Sequence, residues 1–321
     1  MLRIPCRVWL TGWLLALLLA CAILPNSARA QAPVYLTQWG TAGSGSGQFH
    51  DPMHVASDHE GNVYVQDYDA RIQRFSSEGA FLTQWGGAHS CASGQFGPFT
   101  ALATDAAGIL VVGDASCARI QKFTATGTLL AEWAVPSPGG VFFPNSPRAV
   151  AVDHAGTVYV GYFNFDLHLA GTMKFDGTGV LLANWPMSDV PGGLATDAAG
   201  NVYATLGEHV LKFTSEGTLL TQWSVGTQYL HGIAIDAADH VYVSDVSNDR
   251  ILKYTTDGTL LAQWGSSGSG DGQFNDPRGV AVDGDGNVYV VDSVNQRVQK
   301  FGYAPTAAKP TSWGRLKRLY R

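Results

Sequence analysis

Between residues 34 and 302 apolar and polar side chains alternate in short runs, such as Asn62-Val-Tyr-Val-Gln-Asp67 and Arg71-Ile-Gln-Arg-Phe75, divided by turns rich in Gly, Asp and Asn. Period-two alternation enriched in Val, Ile, Tyr and Phe predicts strands, and no long 3.6-residue periodicity competes with it. Three such runs are followed by a fourth that closes on tryptophan. The closing residues are Trp39, Trp85, Trp133, Trp185, Trp223 and Trp264.

These tryptophans lie 46, 48, 52, 38 and 41 residues apart, the length of a four-stranded propeller blade. One blade cannot bury both of its faces, so such units stack into a ring whose closure leaves only short, protected edges. The sixth unit stops at Phe301 after its third strand, and Tyr35 to Trp39 supplies the fourth. The predicted fold is all-β: a six-bladed β-propeller of four-stranded blades, with the ring closed by the N-terminal strand joining the last blade.

The last full copy reads Gly272-Gln-Phe-Asn-Asp-Pro-Arg-Gly-Val-Ala-Val-Asp283, then Gly286-Asn-Val-Tyr-Val-Val-Asp292 and Arg297-Val-Gln-Lys-Phe301. Gly47-Gln-Phe-His-Asp-Pro-Met-His-Val55 opens the first copy in the same way, and the copies between are looser. This resembles the NHL repeat, and the resemblance runs over roughly residues 35–302. It implies a propeller whose function lies in the loops around its central channel.

The ends of the chain read differently. Arg3 and Arg7 precede the apolar run Val8 to Leu24, and Ala28-Arg-Ala30 offers a small-residue cleavage site, so residues 1–30 read as a signal peptide. Leu18-Leu-Ala-Cys21 resembles a lipobox, which offers lipid anchoring at Cys21 as the competing route. Either route exports residues 31–302 to a periplasm, cell surface or extracellular space. Residues 303–321 read as a linker and a tail in which Arg315, Lys317, Arg318 and Arg321 alternate with Trp, Leu and Tyr. Such a tail suits docking, sorting or membrane-surface contact, and equally a disordered end.

Charge and cysteines narrow the partners. Residues 31–302 carry 12 basic against 26 acidic side chains, a net −14, which is a poor match for nucleic acid. Cys91 and Cys117 remain after the signal region and belong to the second blade, one in the loop entering its inner strand and one in its second turn. They are a disulfide candidate in an exported chain, or else two half-buried thiols; their spacing does not suggest a metal knuckle.

The residues opening the six inner strands ring one mouth of the channel: Met53-His54, Thr100-Ala101, Arg148-Ala149, Gly192-Gly193, His231-Gly232 and Arg278-Gly279. His54, Arg148, His231 and Arg278 thus form either an anion or polar-ligand site, or neutralising partners for Asp67, Asp114, Asp245 and Asp292. Those aspartates also stand a turn before Arg71, Arg119, Arg250 and Arg297, a pairing whose repetition argues for structure. Blades three and four break that pattern, with a long aromatic segment, Gly161 to Ala170, and a short turn, Leu206-Gly-Glu-His209. Loops that depart from a rigid scaffold carry recognition, which adds Tyr162, Phe163, Phe165 and His168 to the ligand-binding candidates.

Peptidylglycine amidating lyases resemble this propeller and hold zinc with histidines at strand-opening positions. Here only His54 stands on that position, His231 is one residue early and His50 lies upstream, so no metal or other cofactor is assigned. Asp283-Gly-Asp-Gly-Asn287 begins like a calcium loop but has Val288 and Val294 where Gly and Glu are needed. The glycine-rich stretches at 43–47 and 265–270 precede strands, which denies them a phosphate-binding helix N-terminus. The sequence therefore reads as a monomeric binding module for an extracytoplasmic protein, peptide or glycan, with no catalytic residue assigned. The alternative is a metal-dependent lyase of the amidating or streptogramin kind.

Overall fold

The computed structural model describes residues 31–98, 100–137 and 144–303. The expected signal peptide, the anchoring Cys21 and the basic tail lie outside the described residues. Six four-stranded antiparallel sheets follow one another along the chain. Blade one is β2 (His54–Ser57), β3 (Val63–Asp67), β4 (Arg71–Phe75) and β5 (Phe81–Gly86), and blade two is β6 (Thr100–Thr104), β7 (Leu110–Asp114), β8 (Arg119–Phe123) and β9 (Leu129–Ala134). Blade three is β10 (Ser146–Val152), β11 (Val158–Asn164), β12 (Leu169–Phe175) and β13 (Leu181–Met187), and blade four is β14 (Gly193–Thr196), β15 (Val202–Leu206), β16 (His209–Phe213) and β17 (Leu219–Ser224). Blade five is β18 (Leu230–Ile235), β19 (Val241–Asp245), β20 (Arg250–Tyr254) and β21 (Leu260–Trp264). Blade six is β22 (Pro277–Val282), β23 (Val288–Asp292) and β24 (Arg297–Gly302), completed by β1 (Val34–Trp39). A single 3-10 turn, Val246–Asn248, is the helical content among the described residues.

Closure is by backbone pairing. Strand β1 runs antiparallel to β24, with Val34 opposite Gly302 and Trp39 opposite Val298. Tyr303, expected in the linker, is instead packed on blade five: Lys253 Nζ donates to its hydroxyl at 2.8 Å and lies over its ring.

Each sheet buries alternate residues against its two neighbours. In blade three Val150, Val158, Val160 and Tyr162 pack on Val111 and Ile120 of blade two, while Ala149, Ala151 and Tyr159 pack on Leu194 and Val202 of blade four. The closing tryptophans tie the blades from outside. Turn glycines Gly79, Gly127, Gly179, Gly217 and Gly258, all at positive φ, lie directly on Trp39, Trp85, Trp133, Trp185 and Trp223 of the preceding blade. A Cβ there would strike the indole, so glycine is required both for the turn and for the packing.

The Asp–Arg pairs are ion pairs across the turn between second and third strands, at 2.9 Å for Asp67–Arg71, 3.4 Å for Asp114–Arg119, and 2.7 Å for both Asp245–Arg250 and Asp292–Arg297. Three of these arginines also hold the loop that enters the inner strand. Arg71, Arg119 and Arg297 donate to the carbonyls of Gln48, Gln95 and Gln273, and Gln73, Gln121 and Gln299, two residues on, donate to the same oxygens. The side-chain oxygens of those three glutamines accept from the backbone of Gly47, Gly94 and Gly272. This clamp drives Phe49, Phe96 and Phe274 into fully buried positions, each worth about 1.5–3 kcal/mol of apolar burial.

Cys91 and Cys117 are bridged, with Cα atoms 5.5 Å apart and a sequence separation of 26. Removing a link that closes a loop of this length costs about 3.5 kcal/mol in the chain-entropy account. A Cys91→Ser/Cys117→Ser double variant should melt roughly 7–12 °C below the parent for a domain of this size. A drop of less than about 2 °C in a thermal melt followed by circular dichroism would show that Arg119 alone, through Ala92 and Gln95, holds the loop.

Candidate functional site

The inner strands approach so closely that several of their positions must be glycine. A Cβ on Gly193 would lie 2.7 Å from the His231 carbonyl, one on Gly279 would lie 2.9 Å from the Met53 carbonyl, and one on Gly232 would strike the Arg278 carbonyl. Ser244 Oγ, donating to that same Arg278 carbonyl at 2.6 Å, and Thr205 Oγ1, donating to the His231 carbonyl at 2.6 Å, draw the strands together further. Beneath the mouth the channel narrows to a void of about 40 Å³ among Val55, Leu102, Val150, Leu194 and their neighbours. What remains above is a cup of about 540 Å³.

The predicted ring residues meet in this cup. His54, Thr100, Arg148, Gly192, His231 and Arg278 contribute one wall residue from each blade, and the two arginines come from blades three and six, on opposite sides. Neither arginine neutralises the turn aspartates, which keep their own partners. Arg278 Nε donates to Asp276 at 2.8 Å, and the Arg148 guanidinium stacks on Phe165 at 5.3 Å. Burial lowers the basicity of Arg148 without removing its charge.

Blade three supplies the aromatic wall, though not all of it. The segment expected as a loop is a lengthened hairpin, with Tyr162 opposite Gly171 and Asn164 opposite Leu169. Alternation sends Tyr162 to the face that packs on blade two, where it is 7% exposed and its hydroxyl donates to Asn184 at 3.3 Å. Phe163, on the other face, and Phe165 reach the cup, packed edge to face at 4.8 Å. His168 occupies the left-handed turn position, φ 52°, and does not line the cup. Tyr229, Asp189 and Pro191 complete the wall; sequence reasoning missed them because they lie in connections without a repeat signature.

His54 and His231 stand with ring centroids 5.3 Å apart. Burial, then the charges of His231, Arg278 and Arg148, hold the His54 imidazole well below its usual range. Burial and then the Arg278 charge bring His231 down to about 4. Both rings are therefore neutral at pH 7. The ring of His231 bonds the Arg278 backbone, while its Nδ1 is buried without a partner, as is Thr100 Oγ1. His50 is held outside the cup by Asp69, Nδ1 to Oδ1 3.0 Å. Among the described residues no three His, Cys, Asp or Glu side chains gather around a metal position, so the set does not fit the three or four ligands of a zinc centre.

A neutral buried histidine makes the fold sensitive to acid. The unfolded chain binds a proton below about 6.5, whereas the native chain resists until about 4, so His231 withdraws stability as pH falls through that window. The loss by pH 4 is about 3 kcal/mol from this residue. Denaturant melts at pH 7 and pH 4.5 should show a shallower decline for His231→Gln than for the parent. Parallel declines would place the acid sensitivity elsewhere.

A family model for the NHL repeat matches residues 274–301, the three chain-ordered strands of blade six, and the other five blades repeat its architecture. The chain is a six-bladed β-propeller with an NHL repeat in its sixth blade. Among solved structures this propeller is similar to a streptogramin B lyase, with TM-score 0.59 and 14% identity over 85% of this chain and 98% of that one. It is also similar to the virginiamycin B lyase of Staphylococcus aureus, with TM-score 0.56 and 11% identity over 84% and 99%. A gluconolactonase from Xanthomonas campestris gives TM-score 0.59 and 14% identity over 84% and 97%. At such identities these neighbours share the propeller fold and define no activity for it. By sequence, no curated protein matches the propeller.

Proposed function

We propose that this propeller is a recognition module that takes the anionic end of a protein, peptide or glycan ligand into the cup at its channel mouth. The observation that carries this is the convergence of Arg148 and Arg278 from opposite blades on a cup walled by Phe163, Phe165 and Tyr229. A volume of about 540 Å³ is that of a small-ligand site, mostly apolar with a few placed polar groups. Guanidinium groups suit carboxylates because their fork matches the two oxygens. The net charge of −14 over residues 31–302 repels anions in general, so two arginines converging on one cup are a selective feature in this setting. The Cys91–Cys117 bridge supports action in an oxidising compartment outside the cytoplasm.

Calorimetric titration with an acetylated tetra-alanine bearing a free carboxylate, and with trigalacturonate, tests the reading. At least one should bind reversibly and be recovered unchanged, and Arg148→Ala should weaken it by about 10–100-fold, the worth of a charge-assisted hydrogen bond. Equal affinity of parent and variant for every carboxylate that binds would overturn the cup as the site. Chemical conversion of a probe would replace recognition by catalysis.

A further inference from the structure

The cup does not end at its own rim. Asp189 and Gly207 line both the cup and a second cavity of about 470 Å³ that runs over blade four among Ser188, Leu206, Glu208 and His209. This groove lies at a blade that lacks the clamp and also has the shortest second turn. In blades one, two and six an arginine at the start of the third strand and a glutamine two residues later hold down the entering loop. Blade four has His209 and Leu211 at those positions, and Ser188 to Gly192 alone connects β13 to β14. Its second turn is shortened to Gly207-Glu208, and a side chain added at Gly207 would meet nothing within 4 Å. The wall of the cup is thus low at this blade.

Acidic charge gathers towards that low wall. The cup holds Arg148 and Arg278, the latter paired with Asp276, Asp189 stands on the rim that both cavities share, and the groove adds Glu208, with His209 Nε2 3.9 Å from it. Cup and groove together ask for an anion with a cation close behind it. A peptide meets both demands with its terminal carboxylate and a basic side chain a few residues back, whereas a uronate glycan carries no cation.

We propose that the ligand is the C-terminus of a peptide or protein, its carboxylate seated between Arg148 and Arg278 and its preceding residues, at least one of them basic, leaving over Gly207 into the groove beside Asp189 and Glu208. This rests on the recognition reading above and adds to it the class of ligand, its direction and its charge pattern. An extended chain rises about 3.3 Å per residue, so the second to fourth residues from the carboxylate are the ones that cross the rim.

Acetylated pentapeptides of alanine, with arginine or glutamate placed second, third or fourth from a free carboxylate, test it by calorimetry. One arginine placement should bind at least about tenfold more tightly than the all-alanine peptide, and its glutamate counterpart more weakly, as for one well-placed charge pair. Amidating the C-terminus should abolish binding. In Glu208→Gln the ratio of arginine-peptide to alanine-peptide affinity should fall towards one. Alanine, arginine and glutamate peptides of equal affinity would overturn the groove while leaving the cup intact. Binding of trigalacturonate without any peptide would overturn the peptide class alone. Silence of every carboxylate, with parent and Arg148→Ala alike, would remove the recognition reading and this inference together.

Discussion

Removing β1, residues 34–39, should leave a chain that no longer melts cooperatively and that aggregates at concentrations where the parent stays in solution. Six residues are a small deletion, but they carry the whole pairing with β24 and the packing of Trp39 on Phe75 and Tyr289. Gln38 also accepts from Arg297 at 2.7 Å, so the last clamp loses a partner too. The backbone of β24 is left as an open edge, a template for association, and blade one loses the indole over Gly79. Size-exclusion chromatography and a thermal melt decide the matter. A truncated protein that elutes as the parent does and melts within about 5 °C of it would show that the ring is held by its faces alone.

Replacing Arg297 by Ala should cost about 3–5 kcal/mol, the usual consequence of leaving a buried charge without its partner. Asp292 is fully buried, and Arg297 Nε donates to it at 2.7 Å. The same guanidinium donates to the carbonyls of Ser269, Gly270 and Gln273, which strings the Gly265–Gly272 stretch around one side chain. Asn295 and Gln299 still donate to Asp292 in the variant, so the carboxylate would be solvated in part and not expelled. Arg297→Lys should recover only part of the loss, because an ammonium restores the charge but cannot span the aspartate and three carbonyls. Urea titration measures both; an alanine variant within about 1 kcal/mol of the parent would contradict the clamp.

The two results bear on how the fold was legible. Blade number, strand order and closure follow from alternation and from six tryptophans, because each is a local pattern repeated until chance cannot account for it. The coupling of Arg297 and Gln299 to Gln273 was not legible in the same way. Both halves of the clamp stand in the sequence, as Gly-Gln-Phe and Arg-x-Gln, but 24 to 26 residues separate them, and only the folded chain shows that they meet.

The site was legible to a different degree. Strand-opening positions, aligned on the repeat, bring His54, Arg148, His231 and Arg278 together at the mouth, since the ring places equivalent residues at equivalent heights. Within blade three the placement of Tyr162 on the packing face and of His168 in the hairpin turn was not legible, because taking 161–170 as a loop discards the alternation that β11 keeps to Asn164. Asp189 and Tyr229 escaped because a connection has no period to read. The narrowness of the channel escaped as well: Gly193, Gly232 and Gly279 were legible as strand-opening residues, but not as the places where neighbouring backbones nearly touch.

The way the ring is joined also sets how it responds to force. Val34 and Gly302, the outermost partners of β1 and β24, lie side by side, so tension applied through the two ends of the domain parts one residue pair at a time. A load applied across the blades would instead have to shear all the partners of a sheet at once. The propeller is therefore mechanically weakest along the line where its chain ends meet, and an attachment made through only one of those ends would spare it.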